Sequence, residues 1–498
     1  MARFLIFLLF LFPCVPAARA VEIETLDSAG NVGAYTSITL DDSGNPFISY
    51  YDITNQHLKF IYYNGTSWEN PVTVDTGTKA GAFSCIKLDS NGAPHICYYD
   101  AVGHPPEGID VGGGGDLKHA YFESGSWKNE VMDLYFNSGA WLDMELDGNN
   151  KPVCLYQSLS STNTVVIASS IIKPFHIINM DCVAYCYFNV NVSTAGYRSY
   201  TVVTAASEYA SWRGIGGIDI SRYNAIETNS AKDKIHSVYY SFDERTNKSW
   251  LWYREFDCQV STNVEVTPVL IDSNESMECY VSAALDNNDI LHVSFYDYSN
   301  RSLKYAYKSG AAFQPNTVDS GGVGTYNAID VDGAGNVYII YYDYVNGALK
   351  YAFYDGIEWG MTTVDTGNVG KYNSLAVDAG GNAHISYYAE AGGNLKYAKI
   401  DSASIYAVPA IGAYPNPYRP GTAGHTKVTF TKLPAGNASV KVFTLSGEFV
   451  TELSDYDGDR VVVWEDETLD RIKTGLYYVV AENNSNERAR GKLAIIKQ

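Results

Sequence analysis

Tyr326-Asn-Ala-Ile-Asp-Val-Asp332, Gly333-Ala-Gly-Asn336 and Tyr338-Ile-Ile-Tyr-Tyr-Asp343 follow one another, and Leu349-Lys-Tyr-Ala352 and Thr363-Val-Asp365 complete the set. Each apolar-rich run is short enough for a strand, and Gly, Asn and Asp between runs supply tight turns, so the set reads as four antiparallel strands. It is copied elsewhere. Tyr35-Thr-Ser-Ile-Thr-Leu-Asp41, Phe47-Ile-Ser-Tyr-Tyr-Asp52, Leu58-Lys-Phe-Ile61 and Thr73-Val-Asp75 repeat it, as do Tyr372-Asn-Ser-Leu-Ala-Val-Asp378, His384-Ile-Ser-Tyr-Tyr388 and Leu395-Lys-Tyr-Ala398. Self-similarity at a period of about 46 residues marks a repeat architecture.

One position counts the units: the aromatic six residues before the Asp or Asn that closes the first strand. It is Tyr35, Phe83, Trp141, Tyr223, Tyr280, Tyr326 and Tyr372, which makes seven units. The widest interval, from Trp141 to Tyr223, implies an insertion at about 181–217 or a degenerate eighth unit. Four-stranded units that bury both faces against neighbours and close in a ring make a β-propeller, here over residues 21–402. The last unit lacks a fourth strand, and Val21-Glu-Ile-Glu-Thr-Leu-Asp27 resembles the missing one. The N-terminal strand is therefore expected to complete the last blade and tie the ring shut.

The 498 residues carry 56 acidic and 35 basic side chains, a net charge of −21. That balance excludes a nucleic-acid partner, which would need a basic patch. Residues 1–20 read as a signal peptide, with Arg3, an apolar run from Phe4 to Phe12, and Ala18-Arg19-Ala20 as the cleavage site. No later segment is apolar enough to span a bilayer, so the mature chain is expected to have no transmembrane span and to be secreted or held on a bacterial outer surface. Cys85 and Cys97 flank the turn Asp89–Ala93. If Leu88 faces Pro94 they lie opposite each other, and a disulfide and two small buried hydrophobes are both open readings. Cys182 and Cys186 lack the partners of a zinc site, and no metal site is expected from them.

After residue 402 the repeat ends, and 403–412 reads as a linker. Residues 413–498 then hold Tyr414-Pro-Asn-Pro417, Leu433-Pro434, Ser439-Val-Lys-Val-Phe-Thr-Leu-Ser-Gly447, Trp464, Gly475-Leu-Tyr477 and Gly491-Lys492. About seven short strands suggest a small β-sandwich. This segment resembles the immunoglobulin-like C-terminal domains of the type IX secretion sorting family and of the flagellar hook-capping protein. The resemblance implies passage across an outer membrane by a secretion machinery, then surface attachment or cleavage; the final Gln498 departs from the basic ending usual in sorting signals.

In a propeller, loops between second and third strands share a face with loops between blades. That face collects Tyr51-Asp52, Tyr99-Asp100, Tyr296-Asp297 and Tyr342-Asp343. Aromatic planes beside carboxylates suit sugar rings, although a motif present in most blades reads first as the fold's own signature. The seven counting aromatics have two readings as well: core between blades, which their repetition favours, or a ring at the channel mouth. His95, His292 and His384 share a position that Phe47 and Tyr338 fill elsewhere, which indicates packing. The loop 101–116 and the 181–217 insertion, each unique to one blade, are further candidates. No cofactor is expected; Asp455, Asp457 and Asp459 offer oxygens to calcium, but without the twelve-residue loop of a known calcium motif. These residues lead to an exported propeller binding a glycan or surface protein and leaning away from catalysis. The alternative is a polysaccharide-active glycosidase or lyase, and an adhesive protein with no small ligand is the third reading.

Overall fold

The computed structural model describes residues 21–401 and 411–497, apart from 78, 102–114, 134–137, 159–163, 170–174, 180–183, 193–197, 207–217, 244–247, 258–267, 275–279, 357–358, 421, 423–425, 445–447, 466–468, 470 and 485–487; between 157 and 223 it describes backbone only. Two compact units are present, one of them Val21–Ile400 and the other taking in Asp401–Gln498. Among the described residues no helix is long and apolar enough to cross a membrane.

The first unit is a propeller of seven antiparallel sheets. Blade 1 is Val32–Leu40, Pro46–Asp52, His57–Tyr62 and Val72–Asp75. Blade 7 is Val369–Val377, Ala383–Ala389 and Asn394–Ile400, and the strand Glu22–Asp27 takes its fourth place, with Glu22 opposite Lys399 and Thr25 opposite Lys396. The ring closes on its own first strand. Blade 3 begins at Ser138–Leu146 and runs to six strands, because the hairpin Ala184–Val192 and Arg198–Ala206 adds to its outer edge. The insertion is thus an extension of one sheet and not an eighth blade.

Each turn after a first strand is built by its Asp, or in one blade by Asn229, whose Oδ1 accepts from the Asp233 and Lys234 amides. The Asp41 carboxylate accepts from the Ser43 and Asn45 backbone amides at 2.9 and 2.8 Å, and Gly44 takes φ +78°. Asp378 repeats this with Gly380 and Asn382. Between blades a second device recurs. Asp75, on the last strand of blade 1, accepts from Tyr98 Oη and Lys118 Nζ of blade 2, both at 2.5 Å. Asp27 with Tyr50 and Lys59, Asp319 with Tyr341 and Lys350, and Asp365 with Tyr387 and Lys396 do the same, and Asp272 takes Lys304 alone. The recurring Tyr-Tyr-Asp, Leu-Lys and Thr-Val-Asp segments are the three parts of one lock. Beside it Gly324 lies so close to blade 5 that a Cβ would stand 2.8 Å from the Leu303 Cα, at φ +110°.

Cys85 and Cys97 are opposite each other in register. The disulfide reading is corrected, since both thiols are free and buried. Each turns toward blade 3 instead of its partner, Cys85 Sγ lying 3.4 Å from Asp143 and Cys97 Sγ 3.3 Å from Cys154 Sγ.

The second unit is a small β-sandwich of two sheets. One sheet holds Gly412–Tyr414, Val428–Thr431 and Val461–Trp464; the other holds Phe449–Asp455, Ala438–Thr444, Gly475–Asn483 and Arg488–Ile495. Trp464, Phe430, Val440 and Leu493, all fully buried, fill the space between them.

Candidate functional site: an aromatic collar on the propeller axis

The first strand of every blade packs against the first strands of its neighbours, so these strands surround the axis. Near the start of five of them register shifts by a residue: between Ala34 and Ser37, Ala82 and Cys85, Ala140 and Asp143, Thr325 and Ala328, and Lys371 and Ser374. A bulge of this kind re-aims a side chain. The re-aimed residue is the counting aromatic, with Tyr35, Phe83, Trp141, Tyr326 and Tyr372 all in the left-handed region at φ +45 to +54°. Such a backbone costs on the order of 1 kcal/mol or more at each non-glycine residue, so the surroundings must hold it. They do so in a chain around the ring. Ser84 Oγ donates to the Tyr35 carbonyl at 2.8 Å, Asn224 Nδ2 to that of Trp141 at 2.9 Å and Asn327 Nδ2 to that of Tyr280 at 3.3 Å. Asn373 binds the Tyr326 carbonyl in the same way.

The result is a collar. Ring centroids run Tyr280–Tyr326 4.6 Å, Tyr326–Tyr372 5.1 Å, Tyr372–Tyr35 4.4 Å, Tyr35–Phe83 4.5 Å and Phe83–Trp141 5.0 Å. Tyr223, the seventh, lies outside the described side chains. The collar and the residues after it enclose a cavity of about 540 Å³, lined also by Thr36, Ser84, Asn224, Asn327 and Asn373. Its wall has two characters. Phe83 and Trp141 are apolar, whereas Tyr280, Tyr326, Tyr372 and Tyr35 bring hydroxyls into one arc. Burial, then the neighbouring Tyr372, raises the Tyr35 phenol, and burial with Tyr280 and Tyr372 does the same for Tyr326. These phenols stay protonated at neutral pH and can donate. Below them, buried Asn224 Oδ1 and Asn373 Oδ1 have no hydrogen-bond partner. Among the described lining residues there is no carboxylate, so the facing acid pair of a glycosidase is not found there.

The Tyr-Asp pairs are placed differently. Asp52, Asp297 and Asp343 are buried turn caps, accepting from Asn55, Asn300 and Asn346 through both backbone and side-chain amides. Asp100 is also buried, 3.3 Å from Lys118 Nζ. Their tyrosines back the collar: Tyr51 lies 6.3 Å from Tyr35, Tyr99 6.1 Å from Phe83, and Tyr342 6.2 Å from Tyr326. Tyr296 packs on Tyr298 and Tyr344 instead. Tyr342 and Tyr388 donate to Asn368 and Asn31 of the next Gly-Asn loop, at 2.9 and 2.6 Å. Outside them, Lys371 pairs with Glu390 at 2.6 Å and Arg301 Nε donates to Tyr344 Oη at 2.5 Å.

The histidines pack at the other end of the blades. His384 Nδ1 lies 2.7 Å from Tyr397 Oη, His292 Nδ1 2.7 Å from Tyr305 Oη, and His95 stacks on His119 at 5.1 Å. Burial, reinforced by His119, pushes His95 down to about 4. The loop 102–114 and the side chains of 181–217 fall outside the described residues. Asp455, Asp457 and Asp459 do converge, but Asp455 already accepts from the Gly458 and Arg460 amides and Asp459 from Val461.

No family model and no curated protein matches the chain. Solved structures do. A polysaccharide lyase, PL25 ulvan lyase, is 12% identical over 76% of this chain and 96% of its own, with a TM-score of 0.45. An α-L-arabinanase of Penicillium chrysogenum bound to arabinobiose is 10% identical over 74% and 98%, at 0.41. A lectin of Aleuria aurantia bound to a fucosylated sugar is 10% identical over 68% and 96%, at 0.38. The lean away from catalysis is corrected here: two of these three chains are enzymes, and the fold gives no ground for it. Similarity at this level concerns architecture and carries no ligand or reaction to this chain.

Proposed function

We propose that the propeller recognises carbohydrate, seating a sugar residue in the collared cavity of a polysaccharide that it binds or cleaves. The observation that carries the reading is the two-sided wall. A pyranose has an apolar C–H face that stacks on aromatic rings, here Phe83 and Trp141, and a rim of hydroxyls that both donate and accept. The tyrosine arc supplies hydroxyls that can both donate and accept, and Thr36 and Ser84 add hydroxyls to the same wall. The purified full chain is incubated with a glycan array and with soluble polysaccharides, and products are read by mass spectrometry. Retention or cleavage that Trp141→Ala abolishes is expected; an array that stays blank, with no product, overturns the reading. New ends in the products would make it a polysaccharide-active enzyme.

The second unit supports a separate proposal, that 413–498 is a sorting and attachment module and that residues 1–20 direct export. Its support is the sandwich together with Pro415-Asn416-Pro417, Trp464 and Gly475-Leu-Tyr477. In a bacterium with type IX secretion, the full chain should reach the surface and a chain ending at 412 should stay in the periplasm. Equal surface display of both would leave the module a structural one.

A further inference from the structure

Two and four residues past the collar, the first strands place a second set of side chains around the same axis. In blades 1, 5 and 7 the nearer position is Ser37, Ser282 or Ser374, and each serine accepts from a backbone amide of the next blade: Ile86, Ile329 and Ile38. These contacts satisfy the free inner edge of the following strand. In blade 3 the same position is Asp143, which accepts from the Ile226 amide at 2.9 Å. The further position carries Lys87 in blade 2, Glu145 in blade 3, Glu227 in blade 4 and Asp330 in blade 6. Lys87 pairs with Glu145, and Asp330 accepts from the Val377 amide at 2.7 Å.

Four carboxyl groups therefore share the channel with one ammonium, which is already engaged by Glu145. Burial, then Glu145, with further repulsion from Asp143 and Asp330, pushes Glu227 well above the usual carboxylate range despite Lys87. Burial raises Asp330 to about 6, with Asp332 adding to the rise, and burial raises Asp143 as well. The cysteine of this layer, Cys85, is held protonated by burial and by Asp143. Above these acids the cavity wall is made of aromatic faces, whose quadrupole is negative, and of neutral hydroxyl and amide groups. Asn224 is 9% exposed and belongs to the cavity lining. No described lining residue is cationic.

We propose that the cavity selects its sugar by charge, accepting neutral or amine-bearing residues and rejecting uronic, sialic and sulfated ones. The inference rests on the carbohydrate reading of the cavity and adds the substrate class. An anionic group in the collar would face aromatic quadrupoles, would find neutral hydroxyls and no cation among the described lining residues, and would lie above buried carboxyl groups that already repel one another. An ammonium group would instead meet aromatic faces suited to cations.

The test is an array of matched pairs presented to the full chain at about neutral pH and about 0.15 M salt, where charges are screened beyond roughly 8 Å: hexose against its uronate, sulfated glycan against its desulfated form, N-acetylated against free amine. Each anionic member should bind at least tenfold more weakly than its neutral partner. The gap should narrow as pH falls through about 6, because Asp330 takes up a proton there while an ordinary sugar carboxylate stays ionised. Asp330→Asn should narrow it several-fold at neutral pH. Equal or tighter binding of the anionic members overturns the charge selection and leaves the carbohydrate reading standing. A blank array, with Trp141→Ala indistinguishable from wild type, overturns both.

Discussion

Asp75, Tyr98 and Lys118 meet between two blades, while Tyr35, Phe83 and Trp141 meet on the axis, and both groups come from positions that the repeat copies. They differ in where their polar atoms end. In the lock each polar atom named above has a partner from the adjoining blade, and across the five seams described residue type hardly varies, Phe295 being the one replacement where Tyr would stand. In the collar place is repeated but type is not, running through Tyr, Phe and Trp, and the rings line a cavity. Residues that complete each other across a seam hold the ring. Residues that face a cavity are the ones on which the proposed binding rests.

The comparison breaks first at the seam that closes the ring. Removing Glu22–Asp27 takes a strand from blade 7 and, with Asp27, the acceptor of Tyr50 and Lys59. A melting-temperature loss of about 10 °C or more is expected, since ~1 kcal/mol already moves a domain of a few hundred residues by about 2–4 °C. An unchanged melting curve would remove the strand from any part in closure. Next comes Asp75→Ala. It leaves buried Lys118 with only the longer contact to Asp100, and breaking such a pair costs about 3–5 kcal/mol. Chemical denaturation should show that loss with glycan affinity intact, whereas Trp141→Ala should lower affinity at least about tenfold with little effect on stability. If the two variants exchange effects, lock and site have been assigned the wrong way round.

The two groups also titrate in opposite directions. Burial works against the charged forms of Asp27, Asp75 and Asp365, and hydrogen bonds from their Lys and Tyr partners overcome it, so their pKa values fall below the unfolded ones. Their stabilisation is present above about pH 4 and is lost as pH falls through the lowered folded values. Asp330 is raised to about 6, so the folded state binds its proton more tightly than the unfolded chain, and its contribution declines as pH rises from about 4 through 6. The two effects meet near pH 4: melting temperature should fall on the acid side as the lock carboxylates protonate, and on the alkaline side, up to about pH 6, wild type should lose ground to Asp330→Asn, the buried histidines acting in the opposite sense in both chains. Asp330→Asn should flatten the alkaline side alone; an equal slope in wild type and variant would mean that Asp330 is not responsible for it.

Much of the fold was legible because its cues are local. Asp41 and Gly44 build a turn from residues a few places apart, so repetition of that pattern counts the blades. The lock was legible as a motif but not as a contact, because Asp75 finds Tyr98 and Lys118 only when blades are set side by side. The collar was misjudged for a different reason. Repetition in every unit favours the layer between blades for Tyr35, whereas the bulge between Ala34 and Ser37 aims it onto the axis. One signal was available: Gly33, Gly81, Gly139, Gly324 and Gly370 each stand two residues before a collar aromatic, as a backbone about to leave its register would need. The charged layer below had a weaker mark, Lys and acids in a place that Thr39, Ala284 and Ala376 fill elsewhere.

The smallest effect is expected where the two groups touch. Tyr388 backs Tyr372 at 6.2 Å, and its hydroxyl donates to Asn31 at 2.6 Å, across the seam between blades 7 and 1. Tyr388→Phe keeps the ring and removes that one bond, worth about 1 kcal/mol when a partly buried acceptor loses its donor. If the outer tyrosines belong to the seam, denaturation should register that loss while glycan affinity moves less than about twofold. If they set the tilt of the collar rings, affinity should fall several-fold, and the fall should return in Tyr342→Phe, which breaks the equivalent bond to Asn368 behind Tyr326. A drop in affinity in both variants, without a matching loss of stability, would move this outer ring out of the scaffold and into the site as a set of positioning residues.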